Sequence, residues 1–212
     1  MNILFLGPQG SGKGTQARLL TEKFGLYYFE AGAFLREQSE RNDVLKNMLS
    51  EGQMVPDIEI SSYITAFLDE KSLYEDVLFD GFPRNLEQYN FFKNWLKDKK
   101  VSLDLVIVLE ITEEETIKRL SARRLDPKTG KIYNLVTDLP PEGVDVQSLV
   151  QRDDDKSEAI SKRLSLYRER TEPLIGEMKK VTEVVEINGQ RPIEEISTEL
   201  FKIVEKLNEN KN

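Results

Sequence analysis

Four glycines and a lysine fall within the nine residues Gly7-Pro8-Gln9-Gly10-Ser11-Gly12-Lys13-Gly14-Thr15. Glycines at this density let the backbone curl until successive N–H groups point at one anion. Lys13 adds a mobile positive charge, and a helix beginning here would add the positive end of its dipole. The bare spacing Gly7-x4-Gly12-Lys13 is a weak signal, and Gly14 stands where the strict phosphate-loop pattern has Ser or Thr, with Thr15 one place later. A tight βα turn without a ligand is the plain alternative, yet such a turn needs neither four glycines nor the lysine. The stretch therefore reads as a cradle for nucleotide phosphates.

A second constellation is Asp80-Gly81-Phe82-Pro83-Arg84, accompanied by Arg36, Arg119, Arg123, Arg152 and Arg163. In a chain with 32% charged residues, most arginines are solvated surface groups. Arg84 departs from that reading because Gly81 and Pro83 fix it at a turn, and Arg119 and Arg123 do so because residues four apart share one helix face. The chain has no histidine, so imidazole general-base chemistry is excluded. Phosphoryl transfer does not require it: an aligned donor and acceptor, neutralised charge and exclusion of water suffice. An acceptor that is itself a phosphate is already anionic. Asp80 is the expected anchor for Mg²⁺ through coordinated water, its plain alternative being a helix N-cap carboxylate.

The elements that must position these groups follow from apolar patterning. Asn2-Ile3-Leu4-Phe5-Leu6 reads as a buried strand before the glycine loop, and Gln16 to Phe24 as a helix closed by Gly25. Further strands are expected at Tyr27–Phe29, Val77–Asp80, Leu105–Leu109 and Val184–Ile187. Helices are expected between them: segmented from Glu30 to about Leu68 with a break at Gly52 and Pro56, then Leu86–Lys97, then from the capping box Thr112-x-x-Glu115 through Arg124. A long helix from Ser157 to Lys180 is interrupted near Pro173, and a last one follows Pro192. Residues 125–155, rich in turn signals such as Asp126-Pro127, Thr129-Gly130 and Pro140-Pro141, read as a small insertion of turns and short strands. Strands alternating with helices imply an α/β fold, a parallel sheet with helices on both faces that binds ligands beyond its carboxyl-terminal edge.

At 212 residues the chain supports one sizeable core with an insertion. It lacks cysteine as well as histidine, which removes disulfides and thiolate or imidazole metal sites. A net charge of −8 argues against nucleic acid as partner. No apolar run approaches a membrane span, and the N-terminus enters a strand at once, leaving no room for a leader peptide; a cytoplasmic location is the expectation.

Taken together, Gly7 to Gln16, Ala31-Gly32-x-x-Leu35-Arg36 and Asp80 to Arg84 resemble the adenylate kinase family of nucleoside monophosphate kinases. So do Arg119-x3-Arg123-Arg124, Gly130-Lys131-Ile132-Tyr133, Arg152-Asp153-Asp154 and Lys162-Arg163-Leu164, and the likeness runs from Met1 to about Pro192. The resemblance implies a P-loop core of 1–29, 56–124 and 156–212, a helical monophosphate-binding flap at 30–55, and a lid at 125–155 whose closure excludes water. It implies Mg-dependent transfer, ATP + AMP = 2 ADP, by a monomer. Gly10, Ser11, Gly12, Lys13, Gly14 and Thr15 would hold the ATP phosphates, with Arg119, Arg123, Ile132, Tyr133 and Arg191 on the same side. Ala31, Arg36, Gln53, Met54, Val55, Gly81, Phe82, Pro83, Arg84 and Gln88 would line the AMP site. Arg152 and Arg163 would reach across to the phosphates, and with Lys13, Arg84, Arg119 and Arg123 they form the implied catalytic set.

The departures are specific. Adenylate members of the family usually have Thr-Gly-Asp where this chain has Ala31-Gly32-Ala33. Alanine there, and Asn85, resemble uridylate-cytidylate kinases, whereas Gln88 and the long lid resemble adenylate kinases. A lost hydroxyl contact is worth about 0.5–1.5 kcal/mol, which weakens AMP recognition without redirecting it; UMP or CMP is the alternative acceptor. Some relatives carry cysteines or histidine in the lid for structural zinc. Here no zinc site is expected, and Asp126, Thr129, Ile132, Leu135 and Leu149 are the candidates for holding the insertion together. A non-catalytic nucleotide-binding module is the reading from another class. A guanine-specific switch would show Asn-Lys-x-Asp, which this chain lacks.

Overall fold

The apolar runs of the sequence become five strands of one parallel sheet. The computed structural model describes residues 1–41, 56–136 and 138–209. The strands are β1 (Ile3–Leu6), β2 (Tyr27–Glu30), β3 (Val77–Asp80), β4 (Leu105–Glu110) and, after a separate hairpin of β5 (Arg123–Leu125) and β6 (Ile132–Asn134), β7 (Val184–Asn188). Their order across the sheet is β2-β3-β1-β4-β7, with every pairing parallel. The helices are α1 (Lys13–Phe24), α2 (Ala31–Arg41), α3 (Asp57–Glu70), α4 (Leu86–Lys99), α5 (Glu113–Ala122), α6 (Ser157–Leu166), α7 (Glu172–Met178) and α8 (Ile193–Glu209). This is the α/β arrangement the patterning implies, in the P-loop NTPase-like form the resemblance implies.

Burial on both faces explains why β1, β3 and β4 read as continuous apolar runs. Leu4, Leu6, Phe79, Val106 and Val108 pack on one face against Ile64 and Leu68 of α3, Phe92 and Trp95 of α4, and Leu174 and Met178 of α7. Ile3, Phe5, Leu105 and Ile107 pack on the other against Leu20 of α1 and Ile196, Leu200 and Val204 of α8. The chain runs from β1 to β2 past β3 on one side, and from β3 back across β1 to β4 on the other, so a crevice opens at the carboxyl end of these central strands. The glycine loop and Asp80 both emerge there.

Two local departures matter for the site. The helix expected to run through Arg124 stops at Ala122, because Arg124 and Leu125 instead join a ladder with Tyr133 and Ile132. Arg123 is extended (φ −69, ψ 137), so it does not share a helix face with Arg119. The long helix expected from Ser157 is interrupted by a π turn at Tyr167–Thr171 just ahead of Pro173. Proline has no N–H for the carbonyl four residues back and its ring crowds that carbonyl, so the turn before it widens.

Between 125 and 155 the described chain forms the β5–β6 hairpin, an isolated bridge from Leu125 to Val150, and short 3-10 turns. Asp126 organises the hairpin turn. Its carboxylate accepts from Lys128 N–H at 2.9 Å and Thr129 Oγ1 at 2.7 Å, and its backbone pairs with Lys131 and Gly130. The Thr129 hydroxyl and the Lys128 amide hold the Asp126 carboxyl below its ordinary pKa. Among the described residues no group of three or more His, Cys, Asp or Glu could hold a metal, and no helix is long and apolar enough to cross a membrane. Asp126→Ala is expected to lower hydrogen-exchange protection of the Lys128 and Gly130 amides, while EDTA leaves both unchanged in the parent chain. Loss of protection in EDTA alone would show that a metal holds the insertion.

Candidate active site

The glycine loop leaves β1 by a turn only glycine fits. Gly7 has φ 137, and a Cβ on it would stand 2.3 Å from the Leu109 carbonyl oxygen on the neighbouring strand. α1 starts at Lys13, with Gly12 left-handed at its N-cap (φ 97) and no side-chain cap, so the first helical N–H groups stay open toward the crevice. Lys13 Nζ folds back to donate to the Gly7 and Pro8 carbonyls at 2.7 and 2.8 Å. Burial brings its pKa down to about 8; Asp80 opposes that shift, while Arg84, Arg163 and Arg123 add to it.

The loop forms one wall of a cleft of about 960 Å³. All the predicted donor-side residues line it: Gly10 to Thr15, Arg119, Arg123, Ile132, Tyr133 and Arg191. Arg36, Asp80, Gly81, Arg84, Arg152 and Arg163 line it too. The chain is acidic overall at −8, yet cations lining this cleft outnumber carboxylates nine to five. That local excess is a site built for polyanions.

Carboxylates and carbonyls near and far along the chain hold these arginines. Arg119 donates to Glu115 at 2.7 Å and to the Gly189 carbonyl at 2.9 Å, which ties α5 to the loop after β7. Arg123 grips Asp155 with two bonds of 2.7 and 2.5 Å, and the Asp155 side chain is wholly buried. Asp154 takes Arg152 at 2.8 Å and Arg163 at 3.0 Å. Burial, opposed by Asp154, lowers the Arg163 pKa to about 10, with Arg123 and Arg84 pushing further down. Burial also lowers that of Arg84, against the pull of Asp80 and Glu30. Cleft water still reaches Arg84, and its Nε donates to the Gly81 carbonyl at 2.6 Å. Asp80 is 9% exposed and accepts from the Tyr28 hydroxyl at 2.9 Å, which raises the phenol's pKa beyond the effect of burial. The N-cap of α4 is Asn85, not Asp80: its Oδ1 accepts the Gln88 N–H at 2.9 Å.

Four predicted acceptor-side residues stand behind the wall. Ala31 and Phe82 are 1% exposed in the core, and Pro83 is buried. Gln88 is 5% exposed, its Oε1 accepting the Arg84 N–H and its Nε2 donating to Asp57, both at 2.7 Å. Gln53, Met54 and Val55 lie outside the described residues. Reasoning from the sequence missed Tyr28, Glu30, Asp57 and Asp155. The aspartate run beside Arg152 was a visible signal for the last; the others give none before the strands are placed.

Known proteins are similar to this chain along most of its length. A protein-family model described as adenylate kinase matches residues 5–183. The sequence is 35% identical to an adenylate kinase of Petrotoga mobilis over 98% of this chain and 99% of that protein. It is 34% identical to one of Archaeoglobus fulgidus over 98% and 99%, and 36% identical to one of Thermococcus onnurineus over 92% and 90%. Likeness along essentially the full length of each, on a parallel sheet with its glycine loop at the central strand, makes this chain a member of the adenylate kinase family.

Proposed function

We propose that the chain catalyses ATP + AMP = 2 ADP through electrostatic positioning, without a general base. One observation carries the reading: the phosphate loop, Asp80 and eight arginines converge on one cleft. Loop N–H groups and Lys13 would take the donor phosphates. Arg36 and Arg84 would take the acceptor phosphate, already anionic and needing no proton removed. Arg123, Arg152 and Arg163 would meet the charge that develops between them, now held by carboxylates of the chain.

Mg²⁺ enters this scheme with ATP. The residues fit it: the Tyr28 hydroxyl occupies one Asp80 oxygen, and no hydrogen bond among the described residues takes the other. Asp80 would hold the ion through coordinated water, and the ion supplies charge neutralisation on the phosphates. Zinc has no thiolate or imidazole to bind. The domain division supported by this reading is a core of 1–29, 56–124 and 156–212, a flap at 30–55 and a lid at 125–155 that closes over the phosphates to exclude water.

Incubation with Mg·ATP and, separately, AMP, UMP, CMP, GMP or no acceptor, followed by phosphorus NMR, tests the reaction. ADP formation fastest with AMP and negligible without acceptor is expected; no transfer to any acceptor would leave only a nucleotide-binding module. Faster transfer to UMP or CMP would show that Ala31 and Asn85 outweigh Gln88. Lys13→Ala and Arg84→Ala are each expected to cut turnover by about a hundredfold or more, the scale of a lost preorganised charge contact, with circular dichroism unchanged. Normal turnover in either would displace the site.

Lys13 gives a pH dependence with a definite sign. Bound phosphate raises its pKa from about 8, so the contribution of Lys13 to nucleotide affinity is flat below that pH. Above it, log affinity falls with a slope approaching −1, because binding then takes up a proton. Calorimetry at pH 8.5 in buffers of different ionisation enthalpy is expected to show this uptake, and Lys13→Met to abolish it. The ligand-free chain follows the opposite sense. Between 8 and the ordinary 10.5 the unfolded lysine binds more protons than the folded one, so this group's contribution to stability rises with pH.

A further inference from the structure

The two arginines assigned to the acceptor phosphate already face an anion of the chain itself. Glu30 ends β2, and its register partner is Asp80 at the end of β3, so both carboxylates reach the cleft side by side. Glu30 Oε1 accepts from Arg36 Nη2 at 3.4 Å. A point one bond above the Gly32 Cα, where a Cβ would stand, lies 3.3 Å from Arg36 Nη1, 3.9 Å from Glu30 Oε1 and 4.0 Å from Arg84 Nη2. One carboxylate oxygen and two guanidinium groups thus converge over a residue with no side chain.

The hold on Glu30 is loose. The Arg36 contact is long for a charge-assisted bond, and it is the carboxylate's one hydrogen bond among the described residues. The side chain is 33% exposed, so water can solvate it when it leaves. Its charge meanwhile offsets the mutual repulsion of Arg36 and Arg84.

We propose that Glu30 is a specificity residue of the acceptor site: a resident carboxylate that neutralises the Arg36–Arg84 clamp and yields preferentially to a dianion such as a phosphate monoester. The dianion brings twice the charge and three terminal oxygens to the two guanidiniums. A phosphodiester or carboxylate ligand brings the same single charge as Glu30 and gains little by the exchange. No covalent bond changes in the displacement. The clamp thereby selects a terminal phosphate at the cost of some affinity, and the returning carboxylate assists departure of the product. The proposal rests on the reading that Arg36 and Arg84 hold the acceptor phosphate.

Glu30→Gln and Glu30→Ser, in the full chain, test it by steady-state kinetics with AMP varied at saturating Mg·ATP, and with inorganic sulfate as competitor. The KM for AMP is expected to fall about three- to fivefold in both variants, the scale of one partly exposed charge pair. The inhibition constant of sulfate against AMP should fall in step, while the KM for Mg·ATP holds. A merely structural role for Glu30 would not move the sulfate constant in that direction. An AMP KM that stays or rises, in a parent enzyme that saturates normally, overturns the role of Glu30 and leaves the site reading standing. A raised Mg²⁺ requirement with unchanged AMP KM also overturns it, assigning Glu30 with Asp80 to the metal's water shell. If Arg84→Ala leaves the AMP KM unchanged, the site reading falls and the inference with it. Should neither variant give active enzyme, the sulfate-induced rise in Tm decides: a larger rise than in the parent upholds the proposal, an equal or smaller one ends it.

Discussion

The structure depends on keeping like charges together. Lys13, Arg36, Arg84, Arg123, Arg152 and Arg163 meet in a partly desolvated cleft, where repulsion is far stronger than in water. Its effect shows in Lys13 and Arg163, whose pKa values are lowered first by burial and further by their cationic neighbours. The chain sustains this by setting carboxylates of its own against the arginines: Asp155 on Arg123, Asp154 on Arg152 and Arg163, Glu30 on Arg36. In the proposed reaction a polyphosphate would substitute for these partners instead of meeting bare cations. The cations would then already be positioned when charge develops, the form of electrostatic catalysis that needs no reorganisation at the moment of reaction.

Positioning in turn depends on the sheet. β1 ends between β3 and β4, so the loop that follows it and the turn that follows β3 share one edge without any long-range search. Two departures from helical regularity aim further side chains at the site or at the residues that support it. Ending α5 at Ala122 turns Arg123 away from the helix and onto Asp155. The π turn before Pro173 carries Arg170 to Asp57 and the Thr171 hydroxyl to the Arg84 carbonyl, at 2.8 Å in the latter case. Irregular backbone is thus concentrated where it aims a side chain at the site.

What could be read from the sequence follows the same division. The phosphate loop and the Asp80–Arg84 turn were legible because each depends on residue types without substitutes: glycine where Gly7 would otherwise strike Leu109, and a cation at the strand end. The three central strands were legible because burial on both faces leaves an unbroken apolar run. The end of α5 was not, since Arg123 and Arg124 suit a helix as well as a strand and only the ladder with β6 decides. Nor were the pairings of Arg123 with Asp155 and Gln88 with Asp57, separated by 32 and 31 residues. Contacts at that range require both elements to be placed before either side chain has a partner.

Gln88 shows why this matters for acceptor choice. Four residues after Arg84, it resembles a base-reading glutamine, yet both ends of its amide are engaged inside the protein. The carboxylate of Asp57 can only accept, so it fixes the amide nitrogen on its side; the Arg84 N–H can only donate, so it fixes the oxygen on the other. With the Arg84 carbonyl held by Thr171 as well, the backbone of Arg84 is fixed at both its polar groups. Ala31, where a hydroxyl would be expected, is packed in the core and offers the base nothing. In the proposed acceptor site the Arg84 backbone is held at both polar groups, while Gln88 and Ala31 leave little free to read a base. On that reading recognition would be weighted toward the charge and shape of the terminal phosphate, the property that Glu30 is proposed to test.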